Sequence, residues 1–196
     1  MIYDDIKNFQ AQFSYVPSVV NGGRLAKRHS RFLIAVMGGS RLAANLLSVW
    51  KPKLDVLVWN NYGLPRLPRE ALRGRLIVAS SYSGNTEETI DAFLTARRAR
   101  LPLAAIASGG KLIGLAKKYR VPYVQMPDVR IQPRMATGFM MRALLALVGE
   151  RTMFEEAGDL SRLLKPALLE AAGRKLARRL VGSVPVVYSS LRNGPI

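Results

Sequence analysis

Residues 80 to 89 read Ser-Ser-Tyr-Ser-Gly-Asn-Thr-Glu-Glu-Thr. Three hydroxyls, on Ser81, Ser83 and Thr86, surround a glycine where an apolar strand gives way to a helix. Hydroxyls donate to the oxygens of a phosphate. Gly84 lets the backbone bend so that several N–H groups turn to one side, and the helix start adds the positive end of its dipole. An anion held this way needs no lysine. Helix capping by Asn85 or Thr86, with Glu87 and Glu88 in the first turn, accounts for part of the pattern. It leaves the two further serines and the glycine unexplained.

Three other loops follow apolar runs in the same manner. Met37-Gly-Gly-Ser-Arg41 combines tight-turning glycines with a hydroxyl on Ser40 at a helix start. It lacks the third glycine and downstream acid of a dinucleotide site, and the Gly-Lys-Ser/Thr of a nucleotide-phosphate loop; a Gly-Gly-Ser sequence is also an ordinary turn. In Ile131-Gln-Pro-Arg-Met-Ala-Thr-Gly138, Pro133 sets the helix start and Arg134 projects from the first turn. An arginine so placed can sit over sugar oxygens and stabilise developing enediolate charge; a surface arginine fits the spacing equally well. Ala107-Ser-Gly-Gly110 reads as a turn that caps the helix after it. His29, between Arg28 and Ser30, reads as a surface or hydrogen-bonded histidine. Trp50 and Trp59 read as packing residues.

The elements that carry these loops are legible from apolar spacing. Runs at 32–37, 54–59, 76–80, 103–107 and 121–126 are short and nearly continuous, as in parallel strands covered on both faces. Helical stretches at 41–50, 87–98 and 111–119 separate them. The expectation is a doubly wound α/β fold, a mostly parallel sheet of about five strands flanked by helices, with its site beyond the carboxyl ends of the strands. Ile2, Ile6, Phe9 and Phe13 predict an opening amphipathic helix, and a buried helix is expected from about 134 to 150. In the helical tail, Leu168, Leu169, Ala172, Leu176 and Leu180 form an expected inner stripe, with Arg174, Lys175, Arg178 and Arg179 on a solvated face. Val184 to Ser190 reads as one more strand.

Composition excludes several classes of function. The 196 residues contain no cysteine and one histidine, which removes disulfides, zinc ribbons and thiol nucleophiles, and leaves no His-rich metal site. No signal peptide or membrane span is read, so a cytoplasmic location and no membrane partner are expected. Thirty Lys and Arg against 13 Asp and Glu give a net charge of +17, which favours polyanions. The basic residues are dispersed and not interleaved with stacking aromatics, so nucleic acid is not the expected partner. A phosphosugar site also gains from positive potential.

Met37-Gly-Gly-Ser40, Ser81-Tyr-Ser-Gly-Asn-Thr-Glu-Glu-Thr89, Ser108-Gly-Gly110 and Gln132-Pro-Arg134, in this order, resemble the SIS (sugar isomerase) domain. More narrowly they resemble the first of the two subdomains of the bifunctional phosphoglucose/phosphomannose isomerases. The resemblance implies a flavodoxin-like fold for residues 1–150, a helical tail over 151–182 packed on it, and over 183–196 the first strand of a second subdomain. It implies hexose 6-phosphate as ligand, no cofactor and no metal. Gly39 and Ser40 would approach the sugar, Ser81, Ser83 and Thr86 would hold its phosphate, and Arg134 would be the catalytic residue that polarises the C1–C2 oxygens. The family's glutamate base and ring-opening histidine follow the strand matched by Val184 to Ser190, so this chain is expected to bind rather than turn over substrate alone. A homodimer or a complementary C-terminal half is the expected partner, and a non-catalytic phosphosugar-sensing module is the alternative. Arg41 stands where many relatives carry a small residue.

Overall fold

The computed structural model describes residues 2–25 and 29–190 of the chain. Six strands form one sheet: β1 (Val19–Val20), β2 (Arg31–Val36), β3 (Asp55–Trp59), β4 (Leu76–Ser80), β5 (Leu103–Ala107) and β6 (Tyr123–Gln125). Their order is β1-β6-β5-β4-β2-β3. The five expected strands all pair in parallel, with Phe32 opposite both Val56 and Leu76, and Ile77 opposite Leu103. The sixth, β1, was not expected. It pairs antiparallel with β6, Val19 against Val124.

Strand alternation sorts the sheet's side chains into two cores. Phe32, Ile34, Val36, Leu76 and Val78 face one side, where α2 (Arg41–Trp50), α6 (Thr137–Val148) and α7 (Arg151–Leu163) cover them. Leu33, Ala35, Ile77 and Ala79 face the other, under α4 (Glu87–Arg98) and α5 (Gly110–Tyr119). Burial on both faces is why β2, β4 and β5 read as unbroken apolar runs rather than alternating ones. A short helix, α3 (Arg69–Arg73), precedes β4.

The chain opens with α1 (Ile2–Lys7) and then a separate 3₁₀ turn, Phe9–Ser14, in place of one continuous amphipathic helix. Of the expected stripe only Phe13 is buried; Ile2 and Ile6 are exposed. Arg142 locks this region to the body. Its Nε donates to the Tyr15 carbonyl at 2.9 Å, a second nitrogen donates to the Phe154 carbonyl, and the guanidinium lies 3.4 Å from the Phe154 ring centre. With Arg142 only 5% exposed, these partners compensate the desolvation of its charge, which nevertheless pulls its pKa down.

The tail departs from expectation. Met153 and Ala157 of α7 are buried, but α8 (Pro166–Leu180) buries no residue. Leu168 and Leu169 are 80% and 70% exposed. The helix meets the body at α1, where Tyr3 donates to Glu170 at 2.8 Å, so the stripe expected to face inward is left open. Val184 to Ser190 forms no strand with the described residues; a strand requires a partner edge, and none of the six accepts it. The remainder of the expected strand, 191–196, lies outside the described residues.

Candidate functional site

The loops singled out by sequence all leave carboxyl ends of neighbouring strands, β2, β4, β5 and β6, as the parallel topology requires. Gly38–Ser40 forms a 3₁₀ turn running into α2. Ser40 is 7% exposed, and its Oγ accepts the Tyr82 N–H at 3.2 Å. That bond joins the first loop to the serine loop and leaves the Ser40 hydroxyl proton free to donate elsewhere.

Within the serine loop the hydroxyls divide into two kinds. Ser81, buried at 2%, pairs its Oγ with Thr86 Oγ1 at 2.8 Å and accepts the Gly84 N–H at 3.1 Å. Two hydroxyl protons serve one mutual bond, so one of the two stays available. Ser83 is exposed and accepts the Asn85 N–H at 3.2 Å, which also leaves its proton outward. Thr86 occupies the N-cap position of α4, yet its side chain makes no capping bond. The capping expected of Thr86 is therefore absent, because its hydroxyl is turned back to Ser81. The first turn of α4 is left without a side-chain cap, an arrangement suited to an external anion.

Gly84 has φ +72°, and a Cβ on it would lie 2.0 Å from the Gly109 oxygen. Only glycine permits this bend against the neighbouring loop. The two loops are further stitched by Ser108 Oγ donating to the Tyr82 carbonyl at 2.7 Å and by the Lys111 N–H donating to Asn85 Oδ1 at 2.9 Å. Gly109, at the start of α5, supplies no side-chain cap. The role expected of Ser108-Gly-Gly110 is thus inverted: the serine loop caps α5 through Asn85, and Ser108 braces the serine loop.

Arg134 lies in another 3₁₀ turn, Pro133–Ala136, leading into α6. Its backbone packs directly on Gly39, where a Cβ would come within 2.7 Å of the Arg134 nitrogen. The side chain is exposed, makes no hydrogen bond or ion pair with the described residues, and borders a cavity of about 420 Å³ with Ile6, Phe9 and Leu169. Sequence reasoning missed two contributors. Gln12 holds the Arg134 turn, and Tyr62, on the loop after β3, donates to Glu87 in the first turn of α4 at 3.3 Å. Neither lies in a motif; only the fold brings them here.

His29 precedes β2, whereas the site follows it, so six residues at ~3.3 Å each put it ~20 Å from the loops. Burial lowers its pKa from the usual 6.5. Among the described residues no cluster of three or more His, Cys, Asp or Glu could hold a metal ion. No helix among them is long and apolar enough to cross a membrane.

No protein-family model matches the chain. A bifunctional phosphoglucose/phosphomannose isomerase of Caldicellulosiruptor bescii is 32% identical over 174 residues, covering 81% of this chain and 50% of the relative. The enzyme of the same description from Aquifex aeolicus is 35% identical over 163 residues, covering 79% and 48%. Among solved structures, a candidate phosphosugar isomerase from Clostridium difficile 630 superposes with a TM-score of 0.56 at 12% identity, over 92% of this chain and 56% of that one. The chain spans about half the length of the curated relatives it matches.

Proposed function

We propose, from the premise that this chain has the SIS fold and is homologous to the bifunctional phosphoglucose/phosphomannose isomerases, that it binds hexose 6-phosphates as part of an aldose–ketose isomerase. Residues 1–150 carry the site. Ser83, the Ser81–Thr86 pair and the start of α4 hold the phosphate, Gly39 and Ser40 approach the sugar, and Arg134 polarises the oxygens at the reacting carbons. The observation that carries this reading is convergence. The Ser40–Tyr82 bond and the Gly39–Arg134 contact draw three loops, far apart in sequence, to one end of the sheet.

Enolisation also requires a base of suitable pKa and, for cyclic substrates, a group that opens the ring. Glu87 is engaged with Tyr62 at the start of α4, and His29 lies at the opposite end of the sheet. We therefore assign those two roles to groups outside the described site.

Calorimetric titration with fructose 6-phosphate, before and after the paired substitution Ser83→Ala and Thr86→Ala, tests the site. The expected result is loss of binding; unchanged affinity overturns the cradle. An isomerase assay of the chain alone is expected to show background turnover, and a rate comparable to whole isomerases would refute the assignment of base and imidazole elsewhere. Tight binding that stays without turnover when a relative's second half is added would identify a sensing module instead.

A further inference from the structure

Gln12 stands far from Arg134 in sequence, yet it bonds the main chain of the arginine's turn and of the helix that follows it. Its Nε2 donates to the Met135 carbonyl at 2.7 Å, and its Oε1 accepts the Gly138 N–H at 3.1 Å. The residue is 5% exposed, so both bonds form away from water, where an unpaired amide would be costly. Ala136, at the N-cap position of α6, has no side chain able to cap. Gln12 thus caps α6 from another element. Gly138 makes room for it: a Cβ there would lie 2.6 Å from the Gln12 Cβ.

Further main-chain groups around Arg134 are bonded as well. Thr137 Oγ1 donates to the Arg134 carbonyl at 2.9 Å, the Met135 N–H donates to Gln132 at 2.8 Å, and the Arg134 backbone abuts Gly39. The main chain is held at Gln132, Arg134, Met135 and Gly138 while the guanidinium is left without a partner among the described residues. That is the pattern of a presented group rather than a packed one.

We infer that Gln12 is a positioning residue for Arg134, setting the turn from which the guanidinium reaches the sugar; this rests on the reading of Arg134 as the sugar-facing cation. A glutamine that only stabilised the fold would affect every ligand of the site alike. A positioning glutamine separates them, because the phosphate cradle lies on the serine loop and Arg134 does not belong to it.

The test titrates the full chain with fructose 6-phosphate and, separately, with inorganic phosphate. Gln12→Met keeps the volume and loses both bonds. It is expected to weaken the hexose phosphate about tenfold and to leave inorganic phosphate within about twofold. Gln12→Glu can still accept from Gly138 but sets a carboxylate against the Met135 carbonyl. Its hexose phosphate affinity, relative to wild type at the same pH, is expected to recover as the pH falls and the carboxyl takes up the proton that restores the donor, at a pH above the ~4.3 of a solvated glutamate because burial disfavours the charged form. Thermal melts confirm folding, and Gln12→Glu carries the test if Gln12→Met does not fold. Unchanged affinities, or a parallel fall for both ligands, overturn the inference alone. Wild-type chain that binds neither ligand, or a cradle variant that binds as well as wild type, overturns the underlying reading and the inference with it.

Discussion

Gly39 and Arg134 touch backbone to backbone across 95 positions of sequence, so closely that a methyl group on Gly39 would lie 2.9 Å from both Cα and Cβ of Arg134. The loop after β2 is thereby a template for the turn that carries the arginine. Neither can shift without the other.

Gly39→Ala is the direct probe of that contact. The new methyl meets main chain rather than a flexible side chain, so overpacking should cost about 1–3 kcal/mol. Hexose phosphate affinity should fall as the Arg134 turn is displaced. Denaturant melts and calorimetry read the two effects, and a fully stable variant with wild-type affinity would show that the contact is dispensable.

The two classes of serine should separate cleanly. Ser81→Ala removes the acceptor of the buried Gly84 N–H, so stability should drop by about 1–3 kcal/mol. Ser83→Ala changes an exposed side chain and should leave stability within ~0.5 kcal/mol, while phosphate affinity falls about tenfold through one lost charge-assisted bond. Equal behaviour of the two variants would contradict the division of labour.

Gly84→Ala combines a left-handed backbone with a collision against the Gly109 carbonyl. Neither partner can rotate away. A loss of about 2–4 kcal/mol is expected, together with loss of phosphate binding; a melt close to wild type would mean that the two loops separate freely.

His29 gives a pH signature unrelated to the site. Burial lowers its folded pKa below the usual 6.5, so the unfolded chain holds more protons in the window beneath that value, and stability falls as the pH drops through it. His29→Gln should flatten this part of the stability profile. An unaltered slope in the variant would exclude the histidine as its source.

Much of this was readable from residue types. The strands from β2 to β6 stand where the apolar runs predicted, and in β2, β4 and β5 burial on both faces leaves a continuous signature. The serine loop was legible as a strand-to-helix turn, because its bend at Gly84 and its internal hydroxyl bonds demand those few residue types. β1 was not, since Val19–Val20 is two residues long and exists only by pairing with β6. Strand order, the Gly39–Arg134 contact and the role of Gln12 are tertiary, and no local pattern encodes them. The exposed stripe of α8 shows the converse. Leu168, Leu176 and Leu180 have the spacing of a buried face, but spacing cannot say whether a covering surface is present.

Thr86 turns its hydroxyl toward Ser81 instead of toward the amides that follow it. The fourth helix therefore begins incomplete, with donors waiting on whatever negative group arrives. A bound oxyanion would finish a piece of secondary structure as well as fill a pocket. Occupancy should then be visible at a distance from the ligand, as slowed hydrogen exchange along the opening turn of that helix and as a melting temperature that climbs with ligand concentration.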